Sequence, residues 1–530
     1  MLPTPRRVCF RPECRTCPVC GVPLAYSHPV WRKHIIGLSE ILWAESLGYR
    51  CPAAACQDRV VRSAEAEGLS LKGSTYGMDV LVMVGRLRTV EHCTRAEIHA
   101  ELRQRGIPIC ARHVQNLYDA YFALLSCTAD QQIETVRRQI EQNGGLILSL
   151  DGIQPEKGND ALWVVREVLT GVVLTAATVI SASAKRLQEE LLQPVVALGF
   201  PVLGVISDGQ HSIRLAVQAA LPTVPHQCCQ FHYLRDVALP FSNDDRTLRT
   251  DVRKQIRGIL TVEEKVTGRD DTDAEVVRGY CTALRSVLLD DGLPPLQPGG
   301  VRAYENLDRI EASLQRCIAA RPVPTLLTLA HLTARHHAYD ADYARLKQQH
   351  TWLCDLAGII DPAHYPDVSP ADAAAQAKAG VHRVTATVVH AAATQPAHAP
   401  FADSLRKYTQ GFGDTLFTCF LHPKIPRTNN DLERFLRHAK SAHRRTTGRA
   451  SWDGYIMRYG TLAVYAGDLP PDVLINWFAQ VPTEKYREEM KRWTARQEPR
   501  RQRARYRKAP EEFLNRLEQL WQTCAPSQPP

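Results

Sequence analysis

Apolar positions along the chain change period, and the changes divide it. Between residues 75 and 126 they recur every three or four positions. "TRAEIHAELRQRG" sets Ile98 and Leu102 on one face behind Thr94 and Glu97, a capping-box spacing, and Gly106 ends it. "IPICARHVQNLYDAYFALL" then puts Val114, Leu117, Tyr118 and Tyr121 on one stripe and leaves Arg112, His113, Gln115 and Asn116 more exposed. From residue 145 the period shortens to the β-rich runs "GGLILSLDGIQ", "LWVVREVLTGVVL" and "TAATVISAS", with "EKGND" as the turn between the first two. "AKRLQEELLQPVVALGF" predicts a helix, "PVLGVISDG" a short buried strand and "HSIRLAVQAAL" another helix. This order predicts an α/β layer with a mixed sheet. From about Leu239 to Leu405 the pattern is helical, broken at "DDGLPPLQPGG" and loose over the Ala/Pro/His-rich residues 368–400.

Two segments lie outside this alternation. The first 60 residues are dominated by "CRTCPVCG" and "YRCPAAAC", and six of the 16 cysteines fall within the first 56 positions. Cys17 and Cys20 form a Cys-x2-Cys knuckle; Cys51 and Cys56 form a looser pair. Four thiolates in two turns suit tetrahedral zinc, which would hold together a segment with little core of its own. Cys9, Cys14, His28 and His34 compete as ligands. In the second segment, "RRQRARYRK" from Arg500 to Lys508 is almost wholly basic.

At 530 residues the chain is too long for one core. With 44% hydrophobic and 23% charged residues it has a globular composition, and no apolar run approaches the roughly 20 residues of a membrane helix. "MLPTPRRVCFRPEC" has no apolar core of the secretory kind, so a reducing, cytoplasmic setting is expected and clustered cysteines point to metal before disulfide. The net charge of +9 is compatible with an anionic partner. A helix, a Gly turn and a second helix opening on Arg112, Gln115 and Asn116 predict a helix-turn-helix, since those side chains suit base edges and phosphates.

Three acids carry the candidate chemistry. Asp151 closes the apolar strand "LILSLDG"; Asp-Gly can also be a hairpin turn, but "EKGND" offers a better one and leaves Asp151 on the strand. Asp208 ends "VLGVISDG" just before a helix, where open α/β sheets place their sites. In "TNNDLERFLRHAKSAHRRTTGR", Asn430 and Glu433 have capping-box spacing, while Arg437, Lys440 and Arg444 follow Glu433. The cap and a catalytic role are compatible. Two aspartates and a glutamate form a sensible Mg²⁺ (or Mn²⁺) site, and two ions about 3.5–4 Å apart can activate a nucleophile and stabilise a leaving oxygen.

In order and local motif, the chain resembles DDE transposases of the insertion-sequence and Mutator-like type, whose catalytic core is RNase H-like. The resemblance rests on "SLDG" with Asp151, "ISDGQHSIRLAV" with Asp208, "QCCQFHYLRD" with Cys229 and His232, and "TNNDLERF" with Asn430 and Glu433. It covers roughly 145–465. It implies a multidomain α/β fold: a zinc ribbon-like head (1–60), a helix-turn-helix (75–140), the first part of an RNase H-like core (145–238), an all-α insertion (239–410), the second part of the core (411–470) and a basic helical tail (471–530). It further implies that Asp151, Asp208 and Glu433 are catalytic metal ligands, with Cys229, His232 and Asn430 as structural neighbours. Arg112, Gln115, Asn116, Arg437, Lys440, Arg444, Arg500, Arg501 and Arg503 are the expected DNA contacts. The implied partner is double-stranded DNA, as element ends and target, bound by a homo-oligomer in the cytoplasm at the nucleoid and away from membranes. A transposase-derived DNA-binding regulator without chemistry, or an RNase H-like nuclease without strand transfer, are the competing readings.

Overall fold

The computed structural model describes residues 4–56, 60–153, 160–448, 453–464 and 469–523. The chain forms two compact units, each assembled from separated stretches. The first comprises Met1–Leu203, Leu215–Ala220 and Asn430–Pro530; the second comprises Gly204–Arg214 and Leu221–Asn429. Both hold parts of an α/β layer with mixed sheets, as the residue pattern predicts.

The first unit opens with a small mixed sheet. Strand β3 (Ile41–Arg50) is central; β1 (Arg6–Phe10) runs parallel to it, and β2 (Ala25–Ile36) and β4 (Val60–Val61) run antiparallel. Alternate residues of β3 turn inward, and Leu42 and Ala44 meet Phe10, Ile35 and Ala66 in a five-residue core. The sheet and the helix Ala64–Gly68 carry this head past the expected boundary at residue 60.

Helices Met78–Thr89, Arg95–Gln104, Ala111–Cys127 and Ala129–Asn143 follow. Thr94 caps the second of these in the predicted box: its hydroxyl accepts from the Glu97 amide, and Glu97 accepts from the Thr94 amide. Gly85 lets the first helix lie against the third, since a Cβ there would sit 2.1 Å from the ring of Tyr121.

Strands β5 (Leu146–Ile153), β6 (Ala161–Glu167) and β7 (Val173–Val179) form an antiparallel meander. The run "LWVVREVLTGVVL" is therefore two strands around a turn. Gly171 supplies a positive φ of +73°, and the buried Glu167 carboxylate accepts the amide of Thr170 at 2.5 Å. Val168 and Leu169 make the turn look strand-like in sequence, yet Leu169 is exposed. The turn expected at "EKGND" lies almost wholly outside the described residues.

Strand β8 (Val202–Ser207) crosses the division between units. Its first residues extend the first unit's sheet in the order β7-β6-β5-β8, and the Leu146 amide donates to Pro201 at 2.8 Å. Helix Asn430–Thr447 packs beside β5 and sends Leu432 and Leu436 into a core shared with Leu162 and Val164 of β6. Helix Pro471–Gln480 adds Leu474 and Phe478 to that core, so the segment expected to begin the tail is interior structure. Helix Thr483–Lys508 then runs along Ala111–Cys127.

In the second unit the rest of β8 pairs in parallel with β9 (His226–Cys228). The remainder is helical, apart from a two-residue hairpin within the expected break at 290–300. The stretch expected to be loose, 368–400, is instead occupied mainly by the 25-residue helix Pro370–Thr394. Alanine favours helix most strongly, and Ala373, Ala377, Val381 and Val388 recur at helical spacing on its buried face.

Close packing at Gly85 gives a direct test. Gly85→Ala should lower the unfolding free energy of the first unit by about 1–3 kcal/mol. Gly279→Ala is the contrast: it lies inside helix Thr272–Leu289 with open space around it, and should stabilise by roughly 0.5–1 kcal/mol. Urea unfolding of both variants checks the pair of signs.

Candidate functional site

Asp151 sits within β5, paired in register with Val164 of β6. The strand continues through Gly152 and Ile153, so the Asp-Gly pair is extended chain and not a hairpin turn. Gly152 is required by its neighbour: a Cβ there would come within 2.7 Å of the Trp163 indole. Asp151 is half-buried, and its Oδ1 accepts the Gly152 amide at 2.7 Å. Helix Asn430–Thr447 lies beside this strand, so two of the three acids stand on adjacent elements of the first unit.

Glu433 is half-buried in the first turn of that helix. The helix starts at Asn430, which is exposed, while Asn429, just before it, is buried. Arg166 on β6 secures the helix start. It pairs with Asp431, lies 4.9 Å from the centre of the Phe435 ring and donates to the Gly171 carbonyl at 2.7 Å. Nothing local marks Arg166, because its partner is 265 positions away. Beyond Glu433, Arg437, Lys440 and Arg444 are exposed and recur at helical spacing on one stripe.

Asp208 belongs to the second unit, at the carboxyl end of β8 and ahead of helix His211–Ala220. It is half-buried, and its Oδ1 accepts the Gln210 amide at 2.8 Å, which shapes the turn. Gly209 has φ +84°, and a Cβ there would press on the Phe412 ring at 2.9 Å. The preceding Ser207 is fully buried, with its hydroxyl 2.9 Å from His226 Nε2. Burial, and secondarily the charge of Arg214, push the His226 imidazole down to about 4.

The "QCCQFH" segment is woven into the interior of the second unit. Gln227 and Gln230 are buried; their amides donate to the Leu416 carbonyl, and Gln227 also accepts the Cys419 amide at 2.7 Å. Cys229 Sγ accepts the Asn429 amide at 3.3 Å, and the Gln230 amide donates to Arg427 at 2.9 Å. Cys229 thereby holds the residue just before the Glu433 helix. His232 is buried, and among the described residues neither it nor Cys229 belongs to a group of three or more metal ligands. Burial pushes the neighbouring Cys228 thiol up to about 11.

In the head, Cys17, Cys20, Cys51 and Cys56 converge, with their sulfurs within 4.8 Å of one another. Cys20 and Cys51 are 3.4 Å apart. The knuckle is closed by the Gly21 amide donating to Cys17, with Gly21 at φ +72°. Backbone amides of Cys20 and Val19 lower the Cys17 thiol to about 7, while burial raises Cys56 to about 12. Cys9, Cys14, His28 and His34 stay outside the group. The four thiols lie close enough to bind a metal, and an all-sulfur tetrahedral set is compatible with structural zinc.

The remaining expected contacts divide by exposure. Arg112 and Asn116 are exposed at the start of helix Ala111–Cys127. Gln115 is not available in the same way: its amide donates to Asp119 at 2.9 Å and to Tyr459 at 3.1 Å. Asp119 is buried and also accepts from Arg458 at 3.1 Å; burial raises its carboxyl despite that partner. Polar character alone suggested an outward Gln115, whereas a buried acid on the next turn draws it in. Arg500, Arg501 and Arg503 are exposed along helix Thr483–Lys508, with Arg501 4.0 Å from Glu498. Among the described residues, no helix is long and apolar enough to cross a membrane. Comparison with protein-family models and with curated proteins finds no match to this chain.

His226 makes the second unit sensitive to acid. Its folded pKa lies below that of an unfolded histidine, so the unfolded chain binds the extra proton first. Stability should be full above about pH 6.5 and fall as pH drops towards about 4, by on the order of 2 kcal/mol. His226→Gln should flatten that part of the pH–stability curve, measured by denaturant midpoints across the window.

Proposed function

We propose that this chain is a DDE-type transposase that binds the ends of a mobile element and catalyses metal-dependent cleavage and transfer of DNA strands. The observation that carries the reading is the placement of Asp151 on a strand buried on both faces, beside the helix that bears Glu433 and an exposed basic stripe. The ordered motifs around Asp151, Asp208, Cys229 and Glu433 supply the rest, and the mixed sheet is compatible with an RNase H-like core.

In this reading Asp151, Asp208 and Glu433 are the ligands of Mg²⁺ (or Mn²⁺), which would polarise the scissile phosphate and stabilise the leaving oxygen. The chain's own part is to fix each carboxylate on its own element. The register of β5 fixes Asp151, the Gln210 turn fixes Asp208, and Arg166 fixes Asp431 at the start of the Glu433 helix. Arg437, Lys440 and Arg444 meet backbone phosphates. Arg112 and Asn116 read element ends from the helix-turn-helix, and Arg500, Arg501 and Arg503 add contacts that carry no sequence information. The four head cysteines hold one structural Zn²⁺. A homo-oligomer on DNA fits two element ends joined in one reaction.

Zinc should be measurable as one tightly held equivalent at the head. Cys17→Ser with Cys51→Ser should remove that equivalent and open residues 4–56 to protease, while the helices and strands beyond residue 75 stay protected. Unchanged zinc and unchanged digestion would remove the head site.

The catalytic assignment is tested by Glu433→Gln, Asp151→Asn and Asp208→Asn. Each should abolish Mg²⁺-dependent cleavage of element-end DNA while folding and end binding persist. Glutamine preserves shape and helix propensity but not charge, so a Glu433→Gln protein that cuts at near wild-type rate sinks the triad. Binding of DNA by the wild type with no cleavage under any divalent metal would favour the regulator reading.

A further inference from the structure

The helical unit contains a second convergence of metal-binding side chains, unrelated to the acids above. Helix Gly299–Ala320 presents Asp308 and Glu311 one turn apart on the same face. The short 3-10 turn Arg335–Tyr339 presents His336 and His337 towards them. His336 Nε2 is 2.7 Å from Asp308 Oδ1, and His337 Nε2 is 2.9 Å from Glu311 Oε2. Donor atoms of Asp308, His336 and His337 all lie within 4.8 Å of one another.

The opposite nitrogen of each ring is already engaged. His336 Nδ1 lies 2.6 Å from the Thr333 carbonyl, which can only accept, so Nδ1 carries the hydrogen and Nε2 faces Asp308, while Glu311 Oε2 lies 3.9 Å from Nδ1. His337 Nδ1 lies 3.1 Å from Asp340 Oδ1 and 3.2 Å from the Tyr304 hydroxyl. One outer acceptor holding each imidazole, so that its other nitrogen points inward, is how metal-ligating histidines are oriented. His336 is completely buried and Glu311 largely so, whereas Asp308 and His337 open to solvent and leave an entry path.

We propose that Asp308, Glu311, His336 and His337 form a second divalent-cation site, selective for zinc-like ions. Two neutral imidazoles and two carboxylates around one dication leave no net charge. Nitrogen donors favour zinc and its transition-metal neighbours over Mg²⁺ or Ca²⁺. Tetrahedral bonds of about 2.0–2.1 Å place ligand atoms roughly 3.3 Å apart. The pairs now at 2.7 and 2.9 Å therefore separate by about half an ångström on binding, within rotamer adjustment. The ion ties helix Gly299–Ala320 to the turn that leads into helix Asp340–Ile359 and braces the helical unit.

Metal counting on the full-length chain tests this apart from any DNA reaction. After chelator stripping, incubation with Zn²⁺ and gel filtration, elemental analysis should give two equivalents in the wild type. Cys17→Ser with Cys51→Ser should retain one, and Glu311→Gln with His337→Gln should also retain one. Asp308→Asn, close to isosteric and half-exposed, guards against misfolding of the double variant and should likewise lose one equivalent. Reloading the cysteine variant with Co²⁺ should give ligand-field bands without a thiolate-to-cobalt charge-transfer band. One equivalent in the wild type that vanishes in the cysteine variant overturns the proposal. So does a folded Glu311→Gln, His337→Gln protein that still holds both ions.

Discussion

The antiparallel register of β5 against β6 is the constraint on which the first unit depends. Side chains alternate along a strand, so a slip of one residue would carry Asp151 to the opposite face together with every apolar neighbour. The slip is blocked from two sides. Gly152 lies beneath the Trp163 indole, where no other residue fits, and Leu162 and Val164 are packed against Leu432 and Leu436 of the Glu433 helix. The packing that buries β6 therefore also sets where the glutamate stands. Arg166, on the same strand, completes the arrangement by pairing with Asp431 at the helix start.

Much of this was legible in the residues because the signals are local. Strand period placed Asp151 within β5 and Asp208 at the end of β8, and the spacing of the two cysteine pairs anticipated the convergence of four sulfurs. Errors arose where a partner is distant or a pattern is shared. Gln115 reads as an outward polar residue until Asp119 and Tyr459 are seen to accept from its amide. Residues 368–400 read as loose because alanine and proline together resemble a linker, yet proline occupies the first position of helix Pro370–Thr394, where it is tolerated. The apolar face of Pro471–Gln480 shows that the segment is buried only once the helix it meets, Met78–Thr89, is known.

Three sets of donor side chains lie in separate parts of the chain. The head relies on sulfur and has only a five-residue apolar core, so a metal would contribute a large share of its stability. The helical unit has an extensive core of its own, and a cation there would act as a local fastening and not as a condition of folding. The carboxylates proposed as catalytic, Asp151, Asp208 and Glu433, differ again: they offer only oxygen, the donor that suits Mg²⁺.

The interleaving of the two units has a consequence for how the protein is made. Leu162 and Val164 emerge from the ribosome early, but their partners Leu432, Leu436, Leu474 and Phe478 follow only after the whole helical unit has been synthesised. At about 5–20 residues per second, the interval to Leu432 alone is roughly 13–54 s. Throughout it the meander β5–β7 carries an apolar face with no cover from its own unit's later helices. The first unit can therefore complete its core only after the last of its separated stretches has been made.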